Sequence, residues 1–380
     1  MDPPEPSRHG RRALPLIAGS LAAMVVAGVI YLHPAFPSLP KGPAAPLPPI
    51  PSTVPAEYFP QYAFISATTG WALLFGTPPS TRSYVYRTTD GAKHWNLQLD
   101  LAGAGFGDIK FFDSKRGMVW IGFPIQLYRT SDAGSHWSPV SLPPYQADEV
   151  TYSDPSHIWL LASEPDPGLL RHFFATSDGG NAWTELAWPK GAVWANKLAV
   201  GHLQFRQPGE GWLATAEGSE PAVYSTADGG ASWERHALPR PSGLDNAVDT
   251  YVSLLPGAGV IAYIDFGPPM DLIQYTSFDG GTTWSLVTHP PNAPAQDISF
   301  QDSSHWWAAG SGTLWKSSDA GRSWKFVYQE PNSWVFQPRF IDMKHGWAEL
   351  IVLQVWPPGG LAMTSDGGLH WTQVNAPGPS

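Results

Sequence analysis

Seven aspartates recur along the chain at intervals of 40 to 51 residues, and each stands third in an eight-residue box that ends in tryptophan. The box reads Ser/Thr-x-Asp-x-Gly-x-x-Trp, as in "TSDGGNAW" at 176–183. Carboxylates repeated in this way either work as acids, bases or metal ligands, or accept hydrogen bonds from the backbone N–H groups of their own turn. The seven pairs are Asp90 and Trp95, Asp132 and Trp137, Asp178 and Trp183, Asp228 and Trp233, Asp279 and Trp284, Asp319 and Trp324, and Asp366 and Trp371.

The residues around each aspartate favour the structural use. A Ser or Thr two positions before it can form local hydrogen bonds, and the Gly two positions after it suits a backbone with positive φ. The Trp is expected to open the next strand and to pack against a neighbouring sheet. The first box departs from the pattern, because Ala92 replaces the expected Gly and Gly91 precedes it. This difference predicts a distorted turn or a more weakly built first unit.

The spacing of the boxes predicts the fold. A period of 40–51 residues is typical of propeller blades. Most boxes follow an apolar stretch, a short polar turn and often Gly-Trp, as in "FISATTGWALL" at 64–74. We therefore expect an all-β, seven-bladed β-propeller of four-stranded antiparallel blades over 57–380, with ring closure that needs no swapped strand. The predicted blades are 57–102, 103–144, 145–191, 192–240, 241–291, 292–331 and 332–380.

The N-terminal segment predicts export. A basic tail at 1–12 precedes an uncharged apolar run at 13–32, long enough for one transmembrane helix acting as a signal anchor. Nine prolines in 33–56 predict a stiff linker. The expected location is the cytoplasmic membrane, with a single pass and the propeller on the extracytoplasmic side. The alternatives are a cleaved signal peptide, which would give a secreted protein, and a twin-arginine signal.

Composition excludes several classes of function. The chain has no cysteine, so disulfides and thiolate metal sites are ruled out. Its 12 histidines are scattered, and no metal site or cofactor is predicted. A net charge of −10 disfavours binding to nucleic acid.

The eight-residue pattern resembles the Asp-box, or BNR repeat, of sialidases, sortilin-type receptors, family-74 glucanases and the photosystem II stability/assembly factor family. The resemblance implies that the boxes lie on the face away from any substrate and are structural. Seven boxes, the Gly-Trp turns and the predicted export look most like the photosystem II assembly factors. Those proteins imply a membrane or exported protein, or its extended tail, as the partner. A monomeric propeller is expected.

An enzyme is the main alternative. "FRQP" at 205–208 echoes a sialidase motif through Arg206, but it lies in the fourth unit. A glucanase would need opposed carboxylates, and the candidates are Asp166, Glu220, Asp265 and Asp271. We expect neither a convergent carboxylate pair nor an arginine triad on the face opposite the boxes.

The favoured function is a membrane-tethered, non-enzymatic binding or assembly scaffold. The alternatives are an exported glycoside hydrolase and a structural or adhesive surface propeller. Three tryptophans fall outside the repeat positions. They are either partner anchors on the face opposite the boxes, which we call the loop face, or core residues. The partner-binding candidates are Trp194, Trp334, Trp356, Arg82, Arg171, Asp166 and Asp271.

Overall fold

The computed structural model describes most of the chain from residue 52 onward. The described residues are 52–77, 80–103, 105–122, 124–164, 171–192, 202–217, 220–239, 249–255, 257–265, 272–287, 298–310, 313–329, 333–352 and 360–379. No helix in these ranges is long and apolar enough to cross a membrane. The predicted tail, the predicted anchor at 13–32 and residues 33–51 of the linker lie outside the described residues.

Each repeat unit forms one sheet of four short strands. Blade 1 contains β1 (Tyr58–Phe64), β2 (Gly70–Gly76), β3 (Arg82–Thr88) and β4 (Asn96–Ala102). Blade 2 contains β5 (Gly107–Phe111), β6 (Gly117–Ile121), β7 (Gln126–Thr130) and β8 (Ser138–Pro139). Blade 3 contains β9 (Gln146–Tyr152), β10 (Ile158–Ser163), β11 (Arg171–Thr176) and β12 (Thr184–Leu186). Blade 4 contains β13 (Leu203–Gln207), β14 (Glu210–Glu217), β15 (Glu220–Thr226) and β16 (Glu234–Ala237).

The remaining three blades repeat the arrangement. Blade 5 contains β17 (Asp249–Leu254), β18 (Val260–Asp265), β19 (Leu272–Ser277) and β20 (Ser285–Leu286). Blade 6 contains β21 (Ile298–Phe300), β22 (Trp306–Gly310), β23 (Thr313–Ser317) and β24 (Lys325–Gln329). Blade 7 contains β25 (Ser333–Phe340), β26 (Gly346–Val352), β27 (Gly360–Thr364) and β28 (Thr372–Val374).

In every blade the four strands pair in chain order. All these pairings are antiparallel, so the predicted seven-bladed propeller with four-stranded antiparallel blades is confirmed. First strands of neighbouring blades contact one another, as β9 does β13 and β21 does β25. The first strands therefore surround the centre of the ring, and the fourth strands form its outer edge. The turn between the first two strands lies on the same face as the box, which we call the box face.

The core is divided among the interfaces between blades. The middle strands are the most buried, and every residue of β2 and β6 is buried. Separate apolar clusters fill the spaces between adjacent blades, because each sheet can bury its faces only against its neighbours.

The ring closes between blades 7 and 1 without a swapped strand. One cluster joins Tyr58 and Phe64 of blade 1 to Trp347 of blade 7. Ser52 and Ala376 form a backbone hydrogen bond of 2.9 Å, which places the start of the described chain beside its end.

Candidate functional site

All seven boxes share one hydrogen-bond network. The Ser or Thr hydroxyl donates to Oδ1 of the aspartate at 2.8–3.0 Å. The same hydroxyl accepts from the N–H two residues after the aspartate at 2.8–3.1 Å. Oδ1 also accepts from the N–H four residues after the aspartate at 2.8–3.0 Å. Each box aspartate is therefore occupied within its own turn.

These bonds stabilise the ionised carboxylate. Hydrogen bonds from the residue four positions after the aspartate are the main cause. They lower the pKa of six box aspartates to about 2. The pKa of Asp178 is lowered by the N–H of Ala182 and by Thr176. A carboxylate held in its ionised form by its own turn is poorly suited to act as a general acid near neutral pH.

The first box is not distorted, contrary to one of the two expectations for it. Both residues that follow the aspartate have positive φ in every box, including Gly91 at 73° and Ala92 at 63°. Ala133 and Ala320 adopt the same left-handed conformation at 63° and 59°. Alanine is tolerated there because the surrounding hydrogen bonds fix the backbone, although the conformation costs about 1–2 kcal/mol.

Changing Gly180 to alanine is expected to destabilise the protein by about 2 kcal/mol or more. Its φ is 87°, and an added Cβ would lie 2.3 Å from Cγ1 of Val140. Urea unfolding monitored by tryptophan fluorescence measures the effect. Ala133→Gly is the control, because it relieves strain and should change the unfolding free energy by less than about 1 kcal/mol. Equal effects of the two substitutions would contradict this account of the turn.

The box tryptophans join neighbouring blades. Nε1 of Trp183 donates to the carbonyl of Ser141 in blade 2 at 2.8 Å. Nε1 of Trp95 likewise donates to the carbonyl of Asn375 in blade 7 at 2.8 Å. All seven box indoles are half-buried.

A second set of tryptophans, near the start of the second strand of each of four blades, has a role that the sequence did not predict. The Trp159 ring stacks on Phe205 of the next blade, with centroids 3.6 Å apart. Its Nε1 donates to the carbonyl of Gly229, the residue after the box aspartate of that blade, at 2.9 Å. Equivalent bonds run from Trp71 to Ala133, from Trp212 to Gly280 and from Trp307 to Gly367. Each such indole fastens one blade to the box of the next.

Arg206, the residue that suggested a sialidase, belongs to this interlocking. Its guanidinium bonds Glu210 at 2.7 Å and the carbonyl of Gly259 in blade 5. It also lies over the Trp212 ring at 4.6 Å. A guanidinium used in this way is a structural group and is not available to bind a substrate carboxylate.

The partner-binding candidates within the described residues lie on the face opposite the boxes, where β2–β3 and β10–β11 connect. Arg82 pairs with Asp100 at 2.6 Å, and both side chains are about half exposed. Arg171 pairs with the buried Asp148 at 3.2 Å. The two arginines stand on blades 1 and 3, so the structure does not bring them together.

The other candidates are less fully placed. Trp334 lies in β25. Trp194, Trp356, Asp166 and Asp271 lie outside the described residues.

Beside Arg171, blade 3 carries a compact polar cluster. Tyr145 stacks on the imidazole of His172, with ring centroids 3.8 Å apart. Nδ1 of His172 bonds Glu185 at 2.7 Å, and Nε2 lies 3.8 Å from Glu164. His172 is itself buried, so the cluster holds Tyr145 and the two glutamates in fixed positions.

A buried ion network that the sequence did not reveal joins three blades. His202, just before β13, lies between Glu149 of β9 and Asp249 of β17. Its Nδ1 is 3.3 Å from Glu149 and its Nε2 is 3.0 Å from Asp249. Burial disfavours the charged imidazole, but the two carboxylates outweigh this and raise the pKa of His202 to about 10. His202 is therefore an imidazolium at neutral pH.

The two carboxylates of this network lie in the interior of the protein and are not exposed on the face opposite the boxes. Glu149 and Asp249 do converge, but they are only 3% and 1% exposed, and His202 lies between them. Glu149 also accepts from the N–H of Leu203 at 3.0 Å, and Asp249 from Tyr251 at 3.1 Å. Both carboxylates are engaged in holding blades together and are closed to a sugar substrate.

The central wall of the ring carries groups of both signs. Desolvation raises the pKa of Asp108. The hydrogen bond from the N–H of Ile109 and the positive charges of Lys110 and Arg339 oppose this rise only in part. The ammonium of Lys110, an exposed residue, donates to the carbonyl of Tyr152 at 3.3 Å. Among the described residues, no group of three or more His, Asp or Glu side chains could hold a metal ion.

Fold and site together define a class: a seven-bladed propeller whose repeated carboxylates are structural and whose opposite face bears fixed charged and aromatic groups. The chain is similar to the photosystem II assembly lipoprotein Ycf48 of Synechococcus sp. (strain CC9902), with 26% identity over 223 residues. That match covers 54% of this chain and 56% of the relative, so the chain spans about half the length of the relative. No family model matches the chain.

Solved structures share the fold. A structure described as YCF48 bound to D1 peptide covers 86% of this chain and all of that chain, with a TM-score of 0.54 and 18% identity. A GH74 xyloglucanase from Xanthomonas campestris covers 82% of this chain and 60% of its own, with a TM-score of 0.51 and 14% identity. At these identities the likeness concerns the fold alone.

Proposed function

We propose that this protein is a membrane-tethered, extracytoplasmic scaffold that binds a protein partner during assembly of a membrane complex, without catalysis. The observation that carries the proposal is the sequence similarity to Ycf48, a photosystem II assembly lipoprotein. The structure described as YCF48 bound to D1 peptide adds that a propeller of this kind can hold a peptide. The apolar run at 13–32 and the Pro-rich 33–56 supply the tether.

The chemistry of the described residues is consistent with binding. The box carboxylates are held ionised, and the buried Glu149 and Asp249 are bound to His202. Arg82 and Arg171 are paired at the rim with Asp100 and Asp148. Charges fixed by such pairs can orient a partner and exclude wrong ones, whereas general acid–base work needs groups free to exchange protons.

The partner is proposed to be an extended segment of a membrane or exported protein, held on the face opposite the boxes. A ring locked by indoles between blades keeps its shape on binding, which reduces the ordering cost of association. The acidic balance of the chain, −10 overall, favours a segment that is neutral or basic.

Substituting the loop-face candidates is expected to lower recovery of the partner about tenfold, while unfolding stays unchanged. The test isolates the full chain with its partners from detergent-solubilised membranes after crosslinking and measures them by quantitative mass spectrometry. The variant combines Trp194→Ala, Trp356→Ala and Arg82→Ala. Ala231→Glu on the box face is the matched control and should recover the partner normally.

Two outcomes would contradict the proposal. One is equal partner recovery with both variants. The other is saturable hydrolysis of a sialoside or β-glucan by the purified protein, abolished by changing one loop carboxylate, which would establish the glycosidase alternative.

A further inference from the structure

The exposed large apolar side chains of the described residues all lie at the box end of the ring. Four stand in the box-face turns and three on the outer strands, seven residues after a box aspartate. They are Ile65, Phe278, Met343 and Leu369 in the turns, and Leu97, Leu286 and Phe326 on the outer strands, each 36–61% exposed. We call these seven residues the apolar arc.

The apolar arc occupies one side of the ring. Its members belong to blades 5, 6, 7 and 1, which are consecutive around the closure. Seven residues after the box aspartate, where blades 1, 5 and 6 carry Leu97, Leu286 and Phe326, blades 2, 3 and 4 carry the exposed Pro139, Glu185 and Arg235. Isolated exposed apolar residues are ordinary, but their confinement to four adjacent blades marks an interaction surface.

Two further features indicate what this surface contacts. The exposed Lys93, Lys325 and Lys344 lie among the apolar side chains, where their ammonium groups can reach lipid phosphates. Ionised carboxylates stand beside them, namely the box aspartates of these blades and Asp342, so the apolar side chains carry most of the contact. The chain also enters the propeller among the blades of the apolar arc, because Ser52 is hydrogen-bonded to Asn375 and Ala376 between blades 7 and 1. The 51 residues before it include the apolar run at 13–32.

We propose that the apolar arc lies on the lipid surface of the membrane, with anionic headgroups beside its lysines, so that the opposite loop face is turned away from the bilayer. This inference rests on the membrane tether of the proposed function. The tether limits the propeller to the reach of its linker, and the apolar arc then fixes its orientation. A partner segment would be bound on the face that points away from the membrane.

Site-directed spin labelling tests the orientation, and the absence of native cysteine makes single labels specific. The full chain is placed in nanodiscs of phosphatidylethanolamine and phosphatidylglycerol, with a nitroxide at Leu369→Cys or at Ala231→Cys. Both positions come three residues after a box aspartate, one inside the apolar arc and one outside it. Collisions with oxygen report lipid contact, and collisions with a water-soluble nickel chelate report exposure to water.

The Leu369→Cys label is expected to collide with the nickel chelate at least about threefold less often than the Ala231→Cys label, and to regain accessibility in detergent. Equal accessibility of the two labels in nanodiscs would overturn the lipid contact. Protection at 369 that appears only after a protein partner is added would also overturn it and would assign the surface to that protein. Failure of the full chain to enter nanodiscs at all would instead contradict the tether of the proposed function.

Discussion

Replacing His202 with glutamine is expected to destabilise the propeller by about 3–5 kcal/mol. The substitution removes an imidazolium that is 3.0 Å from Asp249 and 3.3 Å from Glu149, and it leaves both carboxylates buried. An ionised carboxylate in such a site must either stay unpaired at high cost or take up a proton. Urea unfolding at pH 7 measures the loss.

The matched controls separate this network from general packing. His236→Gln removes a half-buried histidine whose Nε2 bonds the hydroxyl of Ser225 at 2.8 Å, and it should cost less than about 1 kcal/mol. The triple variant Glu149→Gln, His202→Gln and Asp249→Asn should recover part of the stability, since no charge is then buried without a partner. If the unfolding free energy of the triple variant were well below that of His202→Gln, unpaired buried charge could not be the cause of the destabilisation.

The same network predicts how stability depends on pH. The pKa of His202 is raised to about 10 in the folded protein, against about 6.5 in an unfolded chain. Its stabilising contribution is therefore complete below about pH 6.5 and is lost as the pH rises towards 10. Thermal unfolding of the wild type should fall in midpoint over this alkaline range more steeply than that of His202→Gln. Parallel pH profiles of the two proteins would contradict the assignment.

The fold could be predicted because its determinants are local and repeated. The eight-residue box contains its own hydrogen-bond donors and acceptors, so seven copies at blade spacing predict seven strand-connecting turns. The left-handed Ala92, Ala133 and Ala320 could not be predicted from residue type, because the network of the turn overrides the preference for glycine.

The buried network was missed because no local pattern marks it. Glu149, His202 and Asp249 are separated by 53 and 47 residues, close to one blade repeat. The available signal was an ionisable residue in or just before each of three successive first strands, since those strands meet at the centre of the ring. The tryptophans near the start of the second strands were visible in the sequence as a repeated position. Their role could not be predicted, because it depends on the carbonyl of a residue in the next blade.

Replacing Trp159 with alanine is expected to cost about 3–5 kcal/mol, because it empties a buried site at the interface of blades 3 and 4. The indole is 2% exposed, stacks on Phe205 at an interplanar angle of 1°, and bonds the carbonyl of Gly229. The loss arises between blades, so it should lower cooperativity as well as stability. Urea unfolding gives both, as the midpoint and the slope of the transition.

A second substitution, Trp159→Phe, separates the contribution of the hydrogen bond from that of stacking. It keeps an aromatic ring against Phe205 but removes the donor to Gly229, so the hydrogen bond and the stacking are measured separately. We expect it to retain more than half of the stability lost in Trp159→Ala, since stacking and burial outweigh one neutral hydrogen bond of about 1 kcal/mol. Blades 2 and 5 support this order, because they place Met118 and Ile261 at the equivalent position and still pack without the bond. Should Trp159→Phe be as unstable as Trp159→Ala, the hydrogen bond to the next box would be the dominant link between blades.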